Sequence, residues 1–208
     1  MEVLRDAFMR RFAFMPLTDT DYQKAAEELE CEPAALKAVA AIESNGDPFL
    51  PDGRVKILFE AHIFARYTQG KFDKTHPHIS SPTWNRKLYK GGADEWDRLT
   101  EAIELDRKAA LMSASYGMFQ LMGFNFTLCG FTCVEDFVNA IKDEPGQLAA
   151  FIQFIKSNHL DDELRRKDWS GFARGYNGSS YKLNFYDTRL ARVYEQIRAG
   201  DHTNKEAA

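Results

Sequence analysis

The stretch Leu36-Lys37-Ala38-Val39-Ala40-Ala41-Ile42-Glu43 carries an apolar helical pattern and then meets Ser44-Asn45-Gly46, which does not readily continue a helix. Pro33 stands where a first-turn proline belongs, because its missing N–H has no partner at that position in any helix. On a 3.6-residue period Leu36, Ala40 and Glu43 share one face. Any fold of this chain must therefore pack side chains over a helix face that ends in a carboxylate beside a glycine break. Desolvation raises the pKa of such a group and suits it to giving up a proton near neutrality. A glutamate at a helix end is ordinarily solvated. Other motifs separate this one from that default.

Ser113-Ala114-Ser115-Tyr116-Gly117-Met118-Phe119-Gln120-Leu121-Met122 is a tight run of small residues leading into a Met- and aromatic-rich segment with one amide among apolar neighbours. Alone it reads equally as a core helix with a buried Gln. Together with Glu43-Ser44 and the later Tyr176-Asn177-Gly178, the order resembles lysozyme-like glycosidases, the goose-type lysozymes and soluble lytic transglycosylases. Ile57-Leu58-Phe59-Glu60-Ala61-His62-Ile63-Phe64, Trp84-Asn85, Tyr89-Lys90-Gly91-Gly92 and Phe172-Ala173-Arg174-Gly175-Tyr176-Asn177-Gly178 extend the likeness. With them the chain resembles the N-acetylmuramidase catalytic domain of bacteriophage endolysins, from about Ala34 to about Ile197.

The resemblance implies an α+β, predominantly helical lysozyme-like bundle with one small β-hairpin. It implies hydrolysis of the β-1,4 bond between N-acetylmuramic acid and N-acetylglucosamine in peptidoglycan. Glu43 is the expected proton donor. Val55, Ile57 and Phe59 alternate with Arg54, Lys56 and Leu58, so Glu60 closes a short strand on the face opposite Val55, Ile57 and Phe59, free to point into a cleft. Glu60 lies 17 positions after Glu43 and is the expected second catalytic carboxylate. The competing reading puts it in the first turn of a helix over Ala61 to Thr68, favoured by the helix dipole. A carboxylate separation of about 5 Å implies retention and about 6.5 to 9.5 Å inversion. Ser115, Tyr116, Phe119 and Gln120 are expected to line the floor of the glycan groove, with Tyr176 and Asn177 across it. There the Tyr176 hydroxyl would orient Glu43 and the Asn177 amide would hold an N-acetyl group. Core packing and helix capping are the alternatives for each of these. Ser44 reads better as a helix-end side chain bonded to backbone, and Trp84 and Tyr89 offer stacking surfaces to sugar rings.

Two other functions use the same motifs. A lytic transglycosylase forming 1,6-anhydro-muramic ends needs no second carboxylate, and its usual Met-Pro after Gln-Leu-Met is Met122-Gly123 here. A silent peptidoglycan-binding phage protein gains nothing from an acid kept protonated in an apolar pocket.

The 208 residues, 44% hydrophobic and 28% charged, suit one globular domain with a sizeable core. A single catalytic domain over 1–208 is expected, with N-terminal helices in 1–30 packed on it, a frayed tail over 200–208 and no separate peptidoglycan-binding domain. A net charge of -4 argues against a nucleic-acid binder relying on a basic face, and leaves glycan binding to a local groove. No run of about 18 apolar residues exists, and Met1 to Arg11 lacks the apolar block of a secretion signal. The expectation is storage in the host bacterial cytoplasm until release to the periplasm or cell wall. Cys31, Cys129 and Cys133 are odd in number and share no metal-ligand spacing with a histidine pair, so reduced thiols are expected. His76-Pro77-His78 lacks an evident third ligand. No cofactor or metal is expected, and the chain is taken to act as a monomer.

Along the chain, helices are expected to about Phe14 and from Thr18-Asp19-Thr20-Asp21, with a loop over Lys71 to Thr83 and a helix from Ala93 to Leu105. Thr132-Cys133-Val134-Glu135 reads as a capping box for a helix to about Lys142. Further helices are expected from Pro145 to Asn158, from Trp169 to Arg174 behind an Asp168 cap, and from Tyr186 to Arg198.

Overall fold

The computed structural model describes residues 16–44 and 47–206. The chain forms α1 (Asp19–Glu28), α2 (Pro33–Ser44), β1 (Ile57–Phe59), α3 (Ala61–Tyr67), α4 (Asp94–Leu105), α5 (Arg107–Met112), β2 (Ala114–Tyr116) and β3 (Leu121–Met122). Then come α6 (Val134–Ala140), α7 (Glu144–Ser157), α8 (Asp161–Arg166), α9 (Trp169–Asn177) and α10 (Tyr186–Glu206), with 3-10 turns at Arg86–Leu88, Gly123–Asn125 and Ser179–Asn184. The fold is thus α+β and mostly helical. The helix expected to reach Phe14 lies outside the described residues.

Local chemistry accounts for several element starts. Thr18 and Asp21 form a reciprocal capping box at α1, Oγ1 accepting from the Asp21 N–H at 3.3 Å and Oδ2 accepting from the Thr18 N–H at 2.8 Å. Pro33 is the first residue of α2, and Asp143 and Asp168 cap α7 and α9 by accepting from the N–H groups of Gly146 and Gly171. Ala34, Ala35, Leu36, Ala38, Val39 and Ala40 are all buried, so α2 is an inner helix, packed against α1 and α10. Ser44 is its last described residue, and the buried Ser44 hydroxyl donates to the Ala40 carbonyl at 3.0 Å.

The sheet is antiparallel in the order β1-β2-β3. The expected local hairpin at β1 is reduced to one bridge between Phe49 and Val55, and the true partner of β1 is β2. The hairpin is β2–β3, closed by the turn Gly117 to Gln120. Gly117 has φ +69, and a Cβ there would lie 2.5 Å from the Gln147 amide, so only glycine fits. Gln147 is buried in α7, and its Oε1 accepts the Met118 N–H at 2.7 Å.

Three expectations are corrected. Cys133, not Thr132, is the N-cap of α6, and no side chain caps that helix, so the box one residue earlier does not form. The short helix after Asp168 runs on through Tyr176 to Asn177, because Gly175 is tolerated where it packs against Leu160. The last helix continues past Gly200 to Glu206, since one glycine costs a helix only about 1 kcal/mol. Helices α5 and α8 have no counterpart in the sequence reading. Among the described residues no helix is long and apolar enough to cross a membrane.

Candidate active site

The packing of α10 on both α2 and α9 brings three helix ends to one place. Glu43, one residue before the end of α2, is half-buried there. Tyr186, the first residue of α10, donates its hydroxyl to Glu43 Oε1 at 2.6 Å. Asn177, the last residue of α9, also hydrogen-bonds the Glu43 carboxylate. Arg189, three residues beyond Tyr186 on α10, adds a positive charge nearby. Burial opposes the charged form of Glu43 and outweighs these three stabilising partners, so its pKa is pushed up to about 7. A carboxylic acid in this state has a proton to give at neutral pH.

Glu60 is carried by the sheet, directly after β1. The register places Leu58, Ser115 and Met122 side by side on one face, and Ile57, Tyr116 and Leu121 on the other. Side-chain direction repeats every two residues, so Glu60 follows Leu58 onto the less buried face. It occupies the N-cap position of α3 but its side chain caps nothing. Instead Glu60 Oε2 accepts the Tyr89 hydroxyl at 2.7 Å and lies 3.2 Å from His62 Nδ1. The Tyr89 oxygen in turn accepts the indole N–H of Trp84 at 2.7 Å. Trp84 is 59% exposed and stands edge-on to Tyr89.

Lys56 ties the end of α2 to the sheet. Its Nζ donates to the Ser44 carbonyl at the end of α2, at 2.7 Å, while its own carbonyl accepts from the Gly117 N–H at 2.8 Å. A cation at a helix C-terminus is matched to the exposed carbonyls and the helix dipole. Gln120 completes the connection: Nε2 donates to the carbonyls of Gly117 and Lys56 at 2.8 and 3.4 Å, and Oε1 accepts the Ser115 hydroxyl at 2.8 Å.

The other residues singled out in the sequence fall into two groups. Ser115 and Gln120 sit on the sheet face that carries Glu60, although both spend their polar atoms on each other and on backbone. Tyr116 and Phe119 belong to the core instead of the groove floor. Tyr116 is 3% exposed and donates to the Leu111 carbonyl, and Phe119 is 1% exposed with its ring stacked 4.0 Å from that of Phe151. Tyr116 is the last residue of β2, and Phe119 lies within the turn that follows it. Tyr176 is likewise reassigned: its hydroxyl donates to the Phe119 carbonyl at 2.6 Å, and Tyr186 takes the place expected for it beside Glu43. Asn177 is exposed and lies beside the Glu43 carboxylate.

Tyr186 and His62 are the site residues that sequence reasoning missed. Tyr186 lies 143 residues from its partner and follows no motif, so no local signal marks it. His62 stands two residues after Glu60, in the first turn of α3, where its nearness in sequence to the candidate carboxylate is a usable signal. Among the described residues no group of three or more His, Cys, Asp or Glu side chains is arranged to hold a metal ion. His78 pairs with Glu101 at 2.9 Å.

The family model Muramidase, described as N-acetylmuramidase, matches residues 32–198. Among solved structures, the crystal structure of Burkholderia AP3 phage endolysin is similar, with a TM-score of 0.78 and 39% sequence identity over 88% of this chain and 72% of that one. No curated protein matches the chain.

Proposed function

Because the chain belongs to the N-acetylmuramidase family, a family of peptidoglycan-degrading glycoside hydrolases, we propose that it cuts glycan strands with Glu43 as proton donor and Glu60 as the second carboxylate. The observation that carries this assignment is the setting of Glu43 in the last turn of the apolar helix α2, where the Tyr186 hydroxyl meets it at 2.6 Å and burial pushes its pKa up to about 7. Glu43 gives its proton to the glycosidic oxygen as the bond from the muramic C1 breaks. Glu60, held by Tyr89 and facing His62, is the anion set against the positive charge that grows on the sugar ring. Water supplies the new hydroxyl at C1, and its proton restores the acid. Tyr186 and Asn177 orient Glu43 and are not themselves proton donors. The Burkholderia phage neighbour is an endolysin, which supports a lytic role on the wall of a phage host.

Glu60 also supports hydrolysis over internal attack by the muramic 6-hydroxyl, which needs no second carboxylate. The test is mass spectrometry of muropeptides released from purified peptidoglycan, reduced with borohydride, with Glu43→Gln as control. Reducible muramic ends that vanish in Glu43→Gln are expected. Anhydro-muramic ends, or undiminished release by a folded Glu43→Gln protein, would overturn the assignment.

A further inference from the structure

Glu95 and Arg98 on α4 form an ion pair with 0% and 5% exposure, Oε2 to Nη1 2.7 Å. A buried pair of this kind is weak evidence for stability, because desolvating both charges offsets much of their attraction. Here Arg98 Nε is left buried without a hydrogen-bond partner, which adds to the cost. The remaining contacts have a common target. Glu95 Oε2 accepts the N–H of Phe59 at 3.2 Å, and Phe59 immediately precedes Glu60. Glu95 Oε1 accepts the N–H groups of Lys90 and Gly91 at 2.6 and 3.0 Å, and Lys90 immediately follows Tyr89. Arg98 Nη1 donates to the Phe59 carbonyl at 3.0 Å, its Nη2 donates to the His78 carbonyl at 3.2 Å, and its guanidinium lies 5.1 Å from the Phe59 ring centroid.

One carboxylate therefore grips the backbone on both sides of the Tyr89–Glu60 hydrogen bond. Tyr89 needs such a grip, because the segment from Trp84 to Gly92 is mostly exposed and its regular structure is a single 3-10 turn. We propose that Glu95, backed by Arg98, is the positioning residue of the second catalytic carboxylate: it locks the strand end that carries Glu60 against the loop that carries Tyr89. This rests on the reading of Glu60 given above. Glu95 touches no substrate; it acts through Phe59, Lys90 and Gly91.

The test is steady-state kinetics on soluble glycan oligomers for Glu95→Gln, Tyr89→Phe and the double variant, each at a temperature where circular dichroism reports it folded. Gln offers one acceptor oxygen where Glu offers two, so part of the grip is lost. The expected result is a kcat lower by about ten- to a hundredfold with KM little changed, as for a displaced catalytic group. In the Tyr89→Phe background the same change should cost less than about twofold, because the hydrogen bond it maintains is already gone. An unchanged kcat in folded Glu95→Gln, or losses that multiply fully in the double variant, overturns the proposal. If Glu95→Gln does not fold, Arg98→Lys serves in its place: it keeps the charge but cannot reach both the Phe59 and His78 carbonyls, and the same non-additivity is expected. An inactive Glu60→Gln beside a fully active Glu95→Gln would remove the positioning role alone. A fully active Glu60→Gln would remove the reading of Glu60 as well.

Discussion

A carboxyl group whose pKa is pushed from 4.5 to about 7 on folding holds its proton more tightly in the folded state than in the unfolded chain. Between those two values the folded protein therefore loses stability as pH rises, and below about 4.5 it bears no such cost. The loss is complete above pH 7 and is on the order of 3 kcal/mol. Glu43→Gln cannot ionise, so calorimetry should find it more stable than the parent at pH 8 and about equal at pH 4, while lysis falls by about a thousandfold or more. The two tyrosines near the site separate in the same way. The Tyr186 hydroxyl favours the anion of Glu43, so Tyr186→Phe should move the alkaline limb of the kcat/KM profile to higher pH. Tyr176 donates to the Phe119 carbonyl, so Tyr176→Phe should cost about 1 kcal/mol of stability and leave that limb in place. A shift with Tyr176→Phe and none with Tyr186→Phe would reverse the roles given to them.

At the scale of elements, the site depends on three helix ends and a sheet that no single segment specifies. The starts of α1, α2, α7 and α9 were legible because Thr18, Pro33, Pro145 and Asp168 carry their signals within one turn. The sheet was legible only in part. The alternation of Val55, Ile57 and Phe59 marked β1, but β2 and β3, of three and two residues, are too short for such a pattern, and β1 and β2 are separated by 54 residues between Phe59 and Ala114. The segment Ser113 to Met122 was recognised by its motif with groove floor and core packing both open, and Tyr116 and Phe119 face the core, beside a β2–β3 turn locked onto α7 by Gln147. That lock predicts its own fragility. Gly117→Ala places a methyl group against the Gln147 amide at a backbone angle unfavourable to L-residues, and urea denaturation should give a loss of about 2 kcal/mol or more. A neutral result would mean that Gln147 does not hold the turn.

The whole molecule combines features readable from one sequence with others that exist only after folding. Helical class, one apolar inner helix and an acid at its end follow from residues close in sequence. The Tyr186–Glu43 bond and the Glu95 grip on Phe59 and Lys90 join residues 143, 36 and 5 positions apart, and helix packing alone creates the first of them. The thiol chemistry was accessible from both. Cys31, Cys129 and Cys133 are free, and burial pushes the Cys31 and Cys129 thiols up to about 12. Reductant should therefore leave activity and Tm unchanged, and thiol titration should find little reactivity at Cys129 until the protein is unfolded. A Tm that falls on adding reductant would contradict this.

The central claim is that Glu43 is the acid and that the fold keeps it protonated near neutrality. The most direct test is a carbon-13 NMR titration of the Glu43 side-chain carboxyl, assigned by its loss in Glu43→Gln, alongside kcat/KM against pH on the same protein. The account predicts a carboxyl titrating at about 7 and an alkaline limb of activity at the same pH. A Glu43 that titrates near 4.5 while the enzyme remains fully active at pH 8 would contradict it.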